Sequence, residues 1–322
     1  MKKVLIIHTG GTISMKEDKN TGEVSPATEH PLYEVVPSLA EFAKIKDEVL
    51  FHIPSPHMTP KNMLQLGSRI HEQLATEDYD GIVVTHGTDT LEETAYFLDL
   101  YLQTRKPVIV TGAMRSINEI GSDGLYNLIT SVRVACSEEA KDKGVLVVMN
   151  DEIHTAQNVT KTSTSNVATF QSPQYGPIGM VTKRGVFFHH TLTKHESYPI
   201  QTITTHVALL KTYAGMDHTI LEAIRQTNID GLVIEALGQG NIPPALVQPL
   251  REIVNAGIPV VLVSRCYQGI VQDIYSYDGG GKQLKDMGVI FSNGLTGPKA
   301  RIKLMLSLEL TRNPHDLVAM FA

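Results

Sequence analysis

The 322-residue sequence has no tryptophan, only two cysteines, and no apolar run approaching the ~20 residues a membrane span requires. Cys136 and Cys266 lie far apart without CxxC spacing, which leaves no disulfide framework and no thiolate metal site to expect. Both are expected as small, buried or partly buried thiols, Cys136 on a helix and Cys266 at the end of a strand. A basic excess is lacking too: the formal net charge of −6 argues against a nucleic-acid or anionic-membrane partner. The 13 histidines show no HExxH or similar spacing, and His189-His190, being adjacent, would point to opposite faces of a strand. No metal is expected. The Gly279-Gly280-Gly281 run lacks GxGxxG spacing and reads as a turn, so no dinucleotide cofactor is expected either. After Met1-Lys2-Lys3 the apolar run stops at Ile7, shorter than the ~7–15 residues of a secretory signal, and the expected location is cytoplasmic.

What is present is an ordinary globular composition, 42% hydrophobic and 19% charged, in a chain long enough for two domains. Continuous apolar runs at Val4–Ile7, Gly81–Val84, Val108–Val110 and Val145–Met149 suit strands buried on both faces of a parallel sheet. Helical patterns at 60–75, 91–103 and 125–136 alternate with them. A second series follows, with strands expected at 207–210, 231–237, 258–263 and 289–292. Helices are expected at 243–256 and 298–310, each with proline near its first turn. The fold class is therefore α/β: a larger N-terminal doubly wound parallel-sheet domain (1–190) plus a smaller C-terminal α/β domain (207–322). The polar, aperiodic stretch 191–206 is the expected linker. Ser14 to His30 is charged and almost free of apolar residues; an unstructured loop of that length beside a strand end reads as a lid.

Chemistry concentrates at two strand ends. Val4–Ile7 runs into His8-Thr9-Gly10-Gly11-Thr12, and Gly81–Val84 runs into His86-Gly87-Thr88-Asp89-Thr90. In an open parallel sheet, ligands bind outside the carboxyl ends of the strands. A third cluster, Thr160-Lys161-Thr162-Ser163-Thr164, supplies a lysine among hydroxyls. Threonine is a weak nucleophile that needs a base or a polarising network. Asp89 and Thr88 are adjacent, so on an extended segment their side chains diverge, and Lys161 is the group that could bridge them. Asp89 followed by Glu92 equally suits a helix capping box, and Lys161 taken alone equally suits a solvated surface position.

The ordered set TGGTI (9–13), THGTDT (85–90), GAMR (112–115), TKTSTSN (160–166), ATFQSPQYGPIG (168–179), ALGQGN (236–241) and GPKAR (297–301) resembles the bacterial L-asparaginase family, of the cytoplasmic kind, across almost the whole chain. The resemblance implies hydrolysis of L-asparagine to L-aspartate and ammonia through a threonyl ester. It implies Thr12 as nucleophile, with Thr88, Asp89 and Lys161 activating attack. It further implies Ser55 on the substrate α-carboxylate, Asp89 on the α-ammonium, the Ala113 backbone facing the side-chain amide, and Asn241 reaching the site from a partner subunit. A homodimer or homotetramer with sites at the dimer interface is thus expected. The sequence departs from the family at the loop, where 14–32 lacks the usual tyrosine and Tyr33 comes first. It also departs at Pro56-His57, which replaces a more polar pair, and the partner acid of secreted members has no clear match around Tyr277-Asp278. The alternatives are a glutaminase-asparaginase, a glutamine-dependent tRNA amidotransferase subunit (disfavoured because TGGT starts at residue 9), and a non-catalytic small-molecule binding protein of α/β fold.

Overall fold

The computed structural model describes residues 1–18, 21–26, 39–193 and 195–322, which divide into two compact units, 1–197 and 198–322.

The first unit is built on an eight-stranded sheet. Its elements are β1 (Lys3–His8), β2 (Met15–Glu17), β3 (Val24–Pro26), β4 (Lys44–Val49), α1 (Pro60–Thr76), β5 (Gly81–Thr85), α2 (Leu91–Tyr101), β6 (Val108–Thr111), α3 (Gly124–Ala135), β7 (Val145–Met149), β8 (Glu152–Thr155), β9 (Thr160–Lys161), β10 (Phe170–Gln171), β11 (Gly179–Thr182) and β12 (Gly185–Phe188). The sheet order is β12-β11-β8-β7-β6-β5-β1-β4, with β4, β1, β5, β6 and β7 parallel. Val4–Ile7, Ile82–Val84 and Leu146–Val148 are fully buried, as continuous apolar runs in a covered parallel sheet require. Helix α1 starts on a capping box: Asn62 N donates to Thr59 Oγ1 (3.2 Å) and Thr59 N donates to Asn62 Oδ1 (3.1 Å).

The sheet is not parallel throughout. Beyond β7 it continues in the antiparallel strands β8, β11 and β12. The cause is the two-residue turn Asn150-Asp151, with φ of +50° and +67°, which reverses the chain directly after β7. Two left-handed residues of this kind match the twist of a tight hairpin, and Asn and Asp tolerate them well. The opposite edge, β4 (KIKDEV), escapes an apolar-run reading because charged residues alternate along it, as suits an exposed edge.

Two expectations are corrected here. Met15–Glu17 and Val24–Pro26, expected within an unstructured loop, pair as an antiparallel hairpin. Asn118 holds the first strand of the hairpin through one residue: Glu17 N donates to Asn118 Oδ1 and Asn118 Nδ2 donates to Glu17 O, each at 2.8 Å. The rest of the expected lid, 19–20 and 27–30, and Tyr33 lie outside the described residues. Cys266 is exposed, because the strand Val260–Ser264 ends before it and the chain beyond stays at the surface, whereas Cys136 is half-buried at the end of α3. Within the stretch 191–206, Tyr198 and Ile200 are buried.

The second unit carries a four-stranded parallel sheet in sequential order: β13 (Val207–Lys211), β14 (Gly231–Ala236), β15 (Val260–Ser264) and β16 (Ile290–Phe291). Its helices are α4 (Thr219–Arg225), α5 (Val247–Asn255), α6 (Gly281–Asp286), α7 (Gly297–Leu310) and α8 (Pro314–Met320). Leu232–Ile234 and Val260–Val263 form the centre of its core with Leu246, Leu250 and Ile253.

Candidate active site

The strand order places a topological switch between β1 and β5. From β1 the chain crosses to β4 on one side, and β5 then returns to the other side of β1. Crevices at such points, outside the carboxyl ends of the strands, are where open α/β sheets bind ligands. The turns after β1, β5 and β6 therefore meet at one rim, and they carry Thr12, Thr88-Asp89 and Ala113.

Glycine makes the meeting of the first two possible. Gly11 has φ +84°, and a Cβ on it would stand 2.2 Å from Gly87 Cα. A Cβ on Gly87 would in turn stand 2.8 Å from Ser55 Oγ. Three backbone segments, 10–12, 53–55 and 87–88, thus touch where any side chain would hold them apart. Thr12, half-buried, opens a single 3-10 turn directly after Gly11.

Lys161 bridges the two residues whose side chains diverge. Its Nζ donates to Thr88 Oγ1 at 3.0 Å and to Asp89 Oδ1 at 2.7 Å. Thr88 is buried and the lysine side chain only 16% exposed, whereas Asp89 is 60% exposed and accessible to a ligand. Asp89 does not cap a helix. Helix α2 starts at Leu91 with Thr90 as its N-cap, without a side-chain capping bond. Instead Thr90 Oγ1 donates to Ser55 O (2.8 Å), and Glu92 Oε1 accepts from Thr160 Oγ1 (3.0 Å) and Lys161 N (3.1 Å). Of the two readings of Asp89, the capping box is the one that does not form, because both carboxylates are drawn to the Lys161 strand.

Ser55 is buried in a 3-10 turn, its Oγ accepting from Asp89 N at 3.2 Å. His86 lies below the rim, fully buried. Its Nδ1 bonds Gly87 O (2.7 Å) and its Nε2 pairs with Thr94 Oγ1 (2.9 Å). A carbonyl partner requires Nδ1–H, so Nε2 accepts from the threonine hydroxyl. Burial pushes the imidazole down to about 4, and the ring stays neutral with both nitrogens engaged. It shapes the Gly87 turn rather than acting as a base.

Around Ala113, which is fully buried, the backbone is held from below. Asp123 Oδ1 accepts from Met114 N (3.1 Å) and Arg115 N (3.0 Å), and Asn127 Nδ2 donates to Gly112 O (3.1 Å). Asp123 sits at the N-cap of α3 but makes no capping bond; its carboxylate turns to this loop. The sequence reading missed these contacts of Asp123, Asn127 and Glu92 with the rim turns, the only local signal being an acid or amide at the start of a helix.

The structure thus brings Thr88, Asp89, Lys161 and Ser55 together, and sets Thr12 and Ala113 on neighbouring turns. Asn241 belongs to the second unit, where its Oδ1 accepts from Gly281 N at 3.2 Å and its backbone bridges Leu237. Among the described residues no cluster of three or more His, Cys, Asp or Glu could hold a metal.

Residues 3–194 match the family described as "Asparaginase, N-terminal", and 206–321 match the "Glutaminase/Asparaginase C-terminal domain". A probable L-asparaginase of Deinococcus radiodurans is 39% identical, the match covering 100% of this chain and 97% of that one. L-asparaginase of Bacillus licheniformis is 34% identical over 95% of each chain, and the glutaminase-asparaginase of Pseudomonas fluorescens biotype A 33% over 100% and 90%. Among solved structures, a probable cytoplasmic L-asparaginase from Campylobacter jejuni superposes with a TM-score of 0.91 at 34% identity, covering 100% of this chain and 99% of that one. Both family domains in order, on a fold whose switch point carries the threonine turns, establish that the chain belongs to the asparaginase family.

Proposed function

We propose that this protein hydrolyses L-asparagine to L-aspartate and ammonia in the cytoplasm, through an ester on Thr12. The observation that carries the reading is the Lys161 ammonium held within hydrogen-bond reach of both Thr88 and Asp89. A non-catalytic binding protein has no need of a lysine locked onto a buried hydroxyl. In this reading Asp89 pairs with the substrate α-ammonium, which its exposure allows, and Ser55 holds the α-carboxylate. The side-chain amide then lies against the backbone at Ala113, between Thr12 and Thr88.

Thr12 Oγ attacks the amide carbon as its proton passes to Thr88 Oγ1, which gives up its own proton towards the amide nitrogen, with the Lys161 ammonium polarising the Thr88 oxygen. Collapse of the tetrahedral intermediate breaks the C–N bond, and nitrogen leaves as ammonia with that proton. Water then attacks the aspartyl ester, restoring the Thr12 hydroxyl and releasing aspartate. Asp123, accepting from Met114 N and Arg115 N, and Asn127, donating to Gly112 O, hold the 112–115 backbone in place, so the main chain at Ala113 needs no reorganisation as charge develops.

A second copy of the chain would complete the site through its Asn241. A run of exposed apolar side chains in the second unit, Tyr267, Ile270, Ile274, Tyr275 and Tyr277, supports an interface between copies. The Met15–Pro26 hairpin would close over substrate. Relatives named glutaminase-asparaginase keep glutamine in view as a second substrate. The test is ammonia release from asparagine and glutamine measured side by side: release from asparagine is the expected result, and release from neither or from glutamine alone would defeat the proposal.

A further inference from the structure

The lysine that carries the proposed chemistry sits on a poor foundation. Strand β9 has two residues, Thr160 and Lys161, and pairs only with the equally short β10, outside the eight-stranded sheet. A ladder of two residue pairs does not by itself fix where a long, flexible side chain ends. Lysine has several rotatable bonds, and each must be held if Nζ is to stay 3.0 Å from one oxygen and 2.7 Å from another.

A second attachment is visible. Glu92 Oε1 accepts from the backbone N–H of Lys161 and from the hydroxyl of Thr160, residues some seventy positions away in the chain. Glu92 stands in the first turn of α2, three residues after Asp89 and four after Thr88. The carboxylate therefore ties the main chain of Lys161 to the same short segment that its ammonium must reach. The contacts close a ring, from Thr88 and Asp89 along the chain to Glu92, across to Lys161 N, and back through the lysine side chain. Both tether points then move with α2. Bonds to a carboxylate are stronger than neutral ones, and a helix N-terminus favours the negative charge.

We infer that Glu92 is a positioning residue for hydrolysis, which fixes the Lys161 backbone so that Nζ bridges Thr88 and Asp89. The inference rests on the reading of Lys161 given above. It assigns Glu92 no contact with substrate.

The experiment uses the full chain and L-asparagine, with four variants: Glu92→Ala, Glu92→Gln, Lys161→Met, and Glu92→Ala combined with Lys161→Met. Loss of the tether lets Nζ drift by a fraction of its own reach, and misplacement on that scale costs roughly 10²-fold. Glu92→Ala is thus expected to lower kcat by that factor with little change in KM. A glutamine amide oxygen can accept the same two bonds, so Glu92→Gln recovers most of what alanine loses. In the Lys161→Met background Glu92→Ala costs little more, because the group it positions is gone. Should Glu92→Ala not fold, Glu92→Met fills the space without an acceptor and takes its place in each comparison. A folded Glu92→Ala at wild-type kcat overturns the inference. So does an equal loss with and without Lys161, which marks a purely structural role. Lys161→Met at wild-type turnover instead overturns the reading of Lys161 itself, and the inference falls with it.

Discussion

Replacing Lys161 with methionine separates catalysis from stability. The methionine keeps most of the aliphatic stem, which is the part packed inside, and removes the two hydrogen bonds to Thr88 and Asp89. Asp89 is 60% exposed, so their ion pair lies on the solvent side and is worth about 0–1 kcal/mol to folding. The buried Thr88 hydroxyl loses a partner as well, about 1 kcal/mol more. For a unit of this size the two together correspond to about 2–8 °C in Tm. The catalytic loss should be far larger. A group that moves a proton for the nucleophile is worth about 10²–10⁴ in rate, or about 2.7–5.4 kcal/mol of barrier. Steady-state ammonia release and thermal melts on the same preparation read both quantities. Turnover within a few-fold of wild type would return Lys161 to the status of a surface lysine. A large drop in Tm alongside lost activity would also refute the reasoning, because the role would then be structural.

Thr12→Ala and Thr88→Ala should each abolish most ammonia release at a stability cost of about 1 kcal/mol, since each removes one hydroxyl from a turn rather than from a core; a folded variant with normal turnover removes that residue from the mechanism. Shortening the hairpin between Lys16 and Glu23, or Asn118→Ala, which releases Glu17, should lower turnover sharply and make the hairpin more sensitive to protease. Tyr33→Phe should leave turnover nearly unchanged, and a large loss would give Tyr33 the family's lid role. Activity should fall together with mass on dilution in light scattering, because Asn241 is proposed to act from a second copy; a fully active monomer contradicts this. His86 is neutral in the fold, depressed to about 4 from 6.5, so the stability it lends is full above pH 6.5 and is lost as pH falls towards 4. The loss amounts to roughly 3 kcal/mol by linkage. Denaturant midpoints between pH 7 and 4 should therefore fall less steeply in His86→Gln, and identical slopes would contradict the assignment.

The parts of the fold that were legible in the sequence are those where one physical demand dominates. Val4–Ile7 and Gly81–Val84 read as buried strands because both faces are covered, and every position must be apolar. The polar turns after them follow as candidate sites, since strand ends at a sheet's switch point face the crevice. Lys161 was legible as the group that could reach both Thr88 and Asp89, and its Nζ donates to each. Less legible were elements whose pattern serves two demands. The edge strand β4 alternates charge with apolar residues, and the Met15–Pro26 hairpin has too few apolar residues for a periodicity to show. The antiparallel extension hinges on a turn of two left-handed residues, Asn150 and Asp151, invisible to a search for apolar runs. Glu92 read as a helix-start residue and Asp123 stood out for nothing, and the partners that claim them, Lys161 and the amides of 114–115, come from other segments of the chain. Local sequence can name such an acid but not the partner that claims it.

Where the aspartyl group resides when turnover is stopped decides the ester mechanism. Wild-type protein mixed with L-asparagine, quenched in acid during turnover and digested, is read by peptide mass. The account predicts an added aspartyl acyl group on the peptide that contains Thr12, lost in Thr12→Ala together with ammonia release. An acyl group on the Thr88 peptide instead, or undiminished ammonia release by Thr12→Ala, would contradict it.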